Sequence, residues 1–228
     1  GNLDIGIVDS IRGPVRYLIT VEGEFDHSGA TPMGTRYRKD ANLALAYMLV
    51  GLDKLQAEAN HDLVQTVGVI NSDAALNGEF PAVARNAMTK VSGFAYFTLD
   101  VRSSNNHFRE AYSLAAMYLL QGIAKKYNVG IGIKEIGSSP ALENMDSDVI
   151  GTVQDVCQSI GYSHQVMPSG AGHDVTVVAK QKYSSGGSIP GGLVFIPCYK
   201  GKSHCPEEHA EMETITKGAG VLAHTLYA

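Results

Sequence analysis

The sequence predicts an α/β protein built from two parts, and the order of its elements along the chain carries this prediction. Between residues 15 and 136, strand-like and helix-forming segments follow one another in the order β-α-β-β-α-β. After residue 137 the pattern changes to single helices, Gly-rich loops and one continuous apolar run. A length of 228 residues suits one large or two small domains.

The first part begins with a strand over 15–22, in which apolar and polar side chains alternate. Asp40 stands at the N-cap position of a helix with the sequence ANLALAYMLVGLDKL. A second helix is expected over 108–127, capped by Asn105 or Asn106, and further strands at 64–70, 92–101 and 129–136. This order is the split-βαβ, ferredoxin-like pattern of four antiparallel strands with two helices on one face.

The second part is expected from residues 1–13 and 138–228, so that the first part spans 14–137. We expect a short strand at Ile5–Ile11, a helix over 147–160 capped by Ser147 or Asp148, and a strand at LVFIPC, residues 193–198. A final helix is expected over 209–228. This α/β region is too short for a complete doubly wound domain.

Composition excludes several functional classes. The net charge of −5, from 18 basic and 23 acidic residues, provides no broad basic surface for nucleic acid. The longest apolar runs fall short of the ~20 residues that span a bilayer, and no N-terminal signal is visible. Three cysteines without a close CxxC pair suit a reduced protein. We therefore expect a cytoplasmic protein without nucleic-acid or membrane partners.

Two glycine-containing loops are candidate sites. In DHSGATPMG, small residues around His27 let a loop approach a ligand closely, although a histidine in a turn is often only solvated. In SGAGHD, which contains Gly172 and His173, a Gly-rich turn opening a helix would direct N–H groups at an anion. A plain tight turn remains an alternative there.

Two further positions carry reactive or charged groups. His204, after the apolar strand, is a candidate metal ligand, and the adjacent Cys205 is a candidate nucleophile; alternatively, Glu207 and Glu208 there only favour the start of the last helix. Arg102 ends a predicted strand, downstream of Asn86. Its guanidinium could hold a carboxylate through two hydrogen bonds, or be a solvated surface charge.

The joint order of these stretches is more specific than any one of them. IGIVDSI, VEGEFDHSGATPMGTRYRKDA, FTLDVRS, SGAGHDV and VFIPCYKGKSHCPEE together resemble the hydantoinase/carbamoylase family of metal-dependent amidohydrolases. That family includes N-carbamoyl-amino-acid hydrolases, β-ureidopropionases and allantoate amidohydrolases, within a wider group of aminoacylases and di-zinc exopeptidases. The resemblance implies that 14–137 is a ferredoxin-like lid and dimerisation domain, and that the rest is a partial α/β catalytic domain of the di-zinc exopeptidase type.

The resemblance also implies roles for individual residues. His27 would stabilise the oxyanion, and His204 would be the last metal ligand. Cys205 stands where a small hydroxyl residue is usual, which argues against a nucleophile. The residues implied to bind substrate, a small molecule bearing a carboxylate, are Asn86, Arg102, Gly172 and His173.

The resemblance further implies hydrolysis of a linear amide or carbamoyl C–N bond of an N-carbamoyl or N-acyl amino-acid-like substrate. The parent enzyme would use two divalent metal ions, zinc, manganese or cobalt. Only His204 matches a set of about five ligands, so we expect an incomplete or absent metal site and an inactive fragment. A homodimer through the lid is expected; if Ala44→Glu or Met48→Glu broke it with the lid still folded, the contact would lie on the first helix. An aminoacylase or dipeptidase, a non-catalytic dimerisation module and a Cys205 hydrolase remain alternatives.

Overall fold

A computed structural model describes residues 3–59, 62–72 and 89–228. The backbone divides into two compact units. One unit is Pro14–Ser139, and the other joins the residues up to Gly13 with Pro140–Ala228. Their roles as lid and catalytic domain stay predictions.

The described residues form nine strands and five α-helices, which confirms the mixed α/β class. The strands are β1 Ile5–Ile11, β2 Gly13–Glu22, β3 Asp26–His27, β4 Val64–Ser72, β5 Lys90–Val91, β6 Phe94–Ser103, β7 Gly130–Ser138, β8 His164–Ser169 and β9 Val194–Phe195. The helices are α1 Ala41–Ala57, α2 Asn106–Tyr127, α3 Ser147–Ser159, α4 Val175–Ala179 and α5 Met212–Tyr227. None of these helices combines the length and the apolar character needed to cross a membrane.

The unit of residues 14–139 contains a four-stranded sheet in the order β4-β6-β2-β7, with α1 and α2 packed on it. The outer pairs, β4 with β6 and β2 with β7, are antiparallel. The order of strands and helices expected from the sequence is found in this sheet and its two helices, and the short strands β3 and β5 are added to it. The alternation of side chains along β6 explains this packing, because every second residue points into the core that the sheet shares with both helices. These residues are Ala95, Phe97, Leu99 and Val101.

Local side-chain contacts define the helix boundaries in this unit. The Asp40 carboxylate accepts a hydrogen bond from the backbone N–H of Leu43 at 3.1 Å, and Asn105 Oδ1 accepts one from Phe108 at 2.8 Å. Such caps satisfy backbone donors that have no partner within the helix. Both positions agree with the sequence, which left the choice between Asn105 and Asn106 open.

The two positions named above as probes of a dimer contact on the first helix do not lie on its surface. Ala44 and Met48 are fully buried in the core of their own unit. The exposed stripe of α1 is one residue out of phase with them and consists of Leu43, Tyr47 and Val50.

The other unit is built on a three-stranded sheet in the order β8-β1-β9, with β8 parallel and β9 antiparallel to β1. Helices α3 and α5 share a core with β1, which includes Ile5, Val153 and Val221. Strand β8 was not predicted, because its sequence HQVMPS has polar ends and a proline and shows no apolar alternation.

Two further expectations for this unit are corrected. The strand expected at LVFIPC is only Val194–Phe195, and Pro197 downstream has no N–H to donate to a ladder. The cap of α3 is Asp146, whose Oδ1 accepts hydrogen bonds from the N–H groups of Asp148 and Val149. Ser147 and Asp148 are instead the first residues of the helix.

Candidate functional site

His27 lies on the short strand β3, and its ring is held by its own loop. Nδ1 accepts hydrogen bonds from the backbone N–H groups of Gly29 at 3.0 Å and Ala30 at 3.1 Å. Because Nδ1 is an acceptor, the neutral ring carries its proton on Nε2. The residue is exposed, so Nε2 is available as a donor. The small residues that follow His27 allow this close approach of the backbone to the ring.

Arg38 organises the same loop and was missed by the sequence analysis. Its guanidinium donates to the carbonyl oxygens of Ser28, Thr31 and Pro32. The Asp26 carboxylate accepts from the backbone N–H of His27 at 2.7 Å. This bond, followed by one from the Thr31 hydroxyl, lowers the pKa of Asp26. Only the sequence position of Arg38 beside the loop could have indicated its role.

Arg102 lies on β6, where its guanidinium grips the carboxylate of Asp100. Nε donates to Oδ1 at 2.8 Å and Nη2 donates to Oδ2 at 3.0 Å. Arg16 on the neighbouring strand donates to the same carboxylate at 2.8 Å. Residues two apart on a strand share a face, so the spacing of Asp100 and Arg102 is a signal that could have revealed this pair.

The opposite charges of Asp100 and its arginine partners stabilise each other's ionised forms. Burial acts to raise the pKa of Asp100, but hydrogen bonds from Arg102 and Arg16 outweigh it, so that the pKa is lowered. The hydrogen bond to Asp100 in turn raises the pKa of Arg102. Asp100 and Arg102 are therefore both ionised at neutral pH. On this sheet face, an internal carboxylate thus accepts two hydrogen bonds from the Arg102 guanidinium.

His173 lies in the loop that follows β8. Its Nε2 is 2.7 Å from Ser169 Oγ, and Ser169 is almost completely buried. The ring also contacts that of Phe195, with centroids 5.4 Å apart. Ser169 and Phe195 therefore fix the imidazole, whereas Gly172 is exposed and a Cβ there would meet nothing within 4 Å.

Arg12 approaches the same loop from the end of β1. A Cβ at Gly170 would stand 3.1 Å from an Nη atom of Arg12, and the Arg12 N–H donates to the Ser169 carbonyl at 3.0 Å. The helix that follows, α4, has only five residues, and the side chain of its cap residue, Asp174, makes no capping hydrogen bond.

His204 lies on an exposed turn, with a φ of 58°. Its backbone N–H donates to the Glu208 carboxylate at 3.2 Å. The last helix begins only at Met212, so the alternative in which Glu207 and Glu208 start that helix is wrong. Strand β9, which leads to this loop, is antiparallel to β1, whereas β8 is parallel to it. The loop therefore starts at one end of the strands, and Ser169 lies at the other.

Cys205 has a carboxylate as its neighbour. The thiol donates to Glu207 and is the main reason that the pKa of Glu207 is lowered. A nucleophilic cysteine needs a base such as histidine, or a cation that favours the thiolate. The described contacts of Cys205 therefore argue against the cysteine hydrolase.

The predicted site residues are divided between the two units. His27 and Arg102 belong to the unit of residues 14–139, whereas Gly172, His173 and His204 belong to the other. Asn86 lies outside the described residues. Within the described ranges, no three His, Cys, Asp or Glu side chains gather into a group that could hold a metal ion. These residues therefore do not fit a metal pair.

Comparison with known proteins identifies the family. The sequence pattern of peptidase family M20/M25/M40 matches residues 7–228. A ureidoglycolate hydrolase from Arabidopsis thaliana is 30% identical over 98% of this chain and 43% of its own length. An allantoate amidohydrolase from Escherichia coli is 27% identical over 98% of this chain and 49% of its own length.

A solved structure gives the same assignment. An amidase of the hydantoinase/carbamoylase family from Burkholderia multivorans has a TM-score of 0.83 and 26% identity, over 98% of this chain and 49% of that one. The chain thus spans about half the length of these relatives. The resemblance noted in the sequence is confirmed: the chain is similar to amidohydrolases of the hydantoinase/carbamoylase family, and it belongs to the peptidase family M20/M25/M40.

Proposed function

We propose that this chain is the substrate-holding part of an amidohydrolase that cleaves a linear amide or carbamoyl C–N bond in an N-carbamoyl or N-acyl amino-acid-like substrate. In this proposal the unit 14–139 is a ferredoxin-like lid, and the other unit is a partial catalytic domain of the di-zinc exopeptidase type. The names of the relatives support the C–N hydrolase class.

The orientation of His27 carries the proposal. Two backbone N–H groups hold Nδ1, so Nε2 remains as a fixed, outward donor. Hydrolysis of an amide or carbamoyl group places negative charge on the former carbonyl oxygen, and a positioned donor stabilises that charge without reorganisation. Arg38 is a positioning residue, because it holds the carbonyl groups of the loop and contacts no reacting atom.

Arg102 would bind the substrate carboxylate. Its two-pronged geometry toward Asp100 is the one that a carboxylate ligand needs. A substrate would have to replace Asp100 or use the remaining guanidinium N–H groups. Gly172 would leave room for the substrate beside His173, and Asn86 stays a predicted contact.

Metal chemistry is not assigned to this chain. His204 is exposed and the described residues around it form no ligand group, so no step of the proposal passes through a metal held here. What the chain contributes is binding, orientation and the oxyanion donor.

A homodimer through the unit 14–139 is part of the proposal. The stripe Leu43, Tyr47 and Val50 on α1 is apolar and 44–52% exposed. Apolar side chains at this helical spacing form one continuous face, which favours association.

The test uses the protein with every segment that its gene encodes. N-carbamoyl amino acids, N-acetyl amino acids and dipeptides are supplied in parallel, which separates the carbamoylase from the aminoacylase and the dipeptidase. The variant His27→Ala should lose about 10²–10³ in kcat, whereas His107→Ala, an exposed histidine on α2, should be unchanged. The proposal fails if none of the three substrate classes is hydrolysed, or if His27→Ala is fully active.

A further inference from the structure

A cavity of about 320 Å³ lies entirely within the unit of residues 14–139, between α2 and the ends of β2 and β7. None of the residues assigned above to the site lines it. Tyr17, Leu114 and Met117 contribute apolar or aromatic surface, and Arg109 and Ser113 contribute polar groups. Its volume lies at the lower end of the range of about 300–1,000 Å³ for small-molecule sites.

The guanidinium of Arg109 is buried and only partly satisfied. The residue is 6% exposed. One Nη atom donates to the carbonyl oxygens of Ser139 at 2.7 Å and Pro14 at 3.4 Å, whereas the buried Nε has no hydrogen-bond partner. Within the described residues, the partners of Arg109 are thus carbonyl oxygens rather than carboxylates. A buried charge without a counterion is costly, which favours an anionic ligand.

Ser113 adds a second unsatisfied group one helical turn further along α2. It is 6% exposed, and its hydroxyl has no partner. A serine in a helix interior can donate to the carbonyl four residues earlier, but this hydroxyl does not. Residues four apart lie on the same helix face, and Arg109 and Ser113 both line the cavity.

The opposite charge lies at the exposed side of the cavity. Glu110 and Glu135 both line it and are exposed. Glu135 reaches this position because of a β-bulge: Arg16 pairs with Gly137 but Tyr17 pairs with Glu135, which leaves Ile136 unpaired. Bulges redirect side chains in this way and are frequent beside binding sites.

We propose that this cavity binds a small apolar α-amino acid. The carboxylate meets Nε of Arg109 and Oγ of Ser113, the ammonium group meets Glu135 and Glu110, and the side chain packs on Leu114 and Met117. A simple carboxylate would satisfy the buried cation but would be repelled by the two glutamates. A zwitterion complements both ends, and the site is independent of the hydrolytic function proposed above.

The experiment is isothermal titration calorimetry of the 228-residue chain with three probes. L-valine should bind saturably with one site per chain. Isovalerate, which lacks the ammonium group, and L-valinamide, which lacks the carboxylate, should each bind at least about tenfold more weakly. The proposal is overturned if valine shows no saturable binding up to about 10 mM, or if either analogue binds as tightly as valine.

Variants locate the binding. Ser113→Ala should weaken valine binding about three- to tenfold, and Glu135→Gln about two- to fivefold. Gln121→Ala, an exposed position on the same helix outside the cavity, should have no effect. These substitutions leave the contacts of Arg109 with Pro14 and Ser139 intact, so folding is preserved. Unchanged binding in both Ser113→Ala and Glu135→Gln would place valine elsewhere and overturn the assignment.

Discussion

Arg102 holds both oxygens of the Asp100 carboxylate, at 2.8 and 3.0 Å, from two positions further along the same strand. In the proposed carboxylate site, the guanidinium is thus held in a two-pronged orientation by an internal carboxylate. The internal carboxylate has to yield for a substrate to bind with both prongs.

Replacing Arg102 by lysine should weaken catalysis on carboxylate-bearing substrates. The charge remains but the two parallel bonds are lost, so kcat/KM should fall by the equivalent of about 1.5–3 kcal/mol. The measurement is steady-state kinetics with the carboxylate substrate and with its amide, which should be affected much less. Arg16→Lys is the matched control, because Arg16 donates to Asp100 through Nε, without the two parallel bonds that Arg102 makes. If Arg102→Lys lowered kcat/KM equally for the carboxylate substrate and its amide, Arg102 would not be the residue that binds the carboxylate.

Asp4 should make the chain sensitive to acid. Hydrogen bonds from Lys217, and then from Ser163, lower its pKa to about 2. This value is below that of about 3.9 for an unfolded chain, so the stabilisation is present above pH ~4 and is lost as the pH falls through the folded-state pKa. Chemical denaturation gives the free energy of unfolding, which should fall less between pH 7 and pH 2 in Asp4→Asn than in the unmodified chain. Asp155→Asn, an exposed change on α3, should behave like the unmodified chain.

The chain should hold no stoichiometric metal pair. The sequence predicts only His204 as a metal ligand, and the described residues contain no group of three possible ligands. Elemental analysis after extensive dialysis should find well under one zinc or manganese ion per chain. Two tightly held ions would show that the ligands have been misidentified.

A charge on the exposed stripe of α1 should separate the proposed dimer. Val50→Glu places a carboxylate on a side chain that is 52% exposed, so the fold is preserved while the apolar face is interrupted. Light scattering should change from a dimer mass to a monomer mass near 24.3 kDa. Gln158→Glu makes a similar change on α3 and should leave the dimer intact. A monomer before any substitution would contradict the proposal.

The sequence predicted helix starts well where one side chain determines them. Asp40 and Asn105 bond to backbone N–H groups three residues ahead, so the signal is local. Strand β8 escaped prediction because it is defined by its parallel pairing with β1, more than 150 residues away. The buried face of α1 could not be assigned from the sequence, because an apolar-rich helix gives a weak amphipathic signal.

In the candidate site, too, the sequence indicated local features but not contacts that depend on the fold. The motifs identified His27 and Arg102 as polar groups in a distinctive order, but not what each one touches. The hydrogen bonds to Nδ1 of His27 depend on the turn of its loop, and the bond from Arg16 to Asp100 depends on strand register. Neither can be derived from residue spacing alone.

The first and last residues of the unit 14–139 lie next to each other. The N–H of Ser139 donates to the carbonyl of Pro14 at 2.9 Å, and just outside it Ile11 and Leu142 exchange two backbone hydrogen bonds. A segment whose ends meet can be removed and the gap closed by a short loop, or the segment can be transplanted as a cassette into another host. Gene rearrangement could therefore exchange this unit between enzymes while the three-stranded sheet that receives it stays in register.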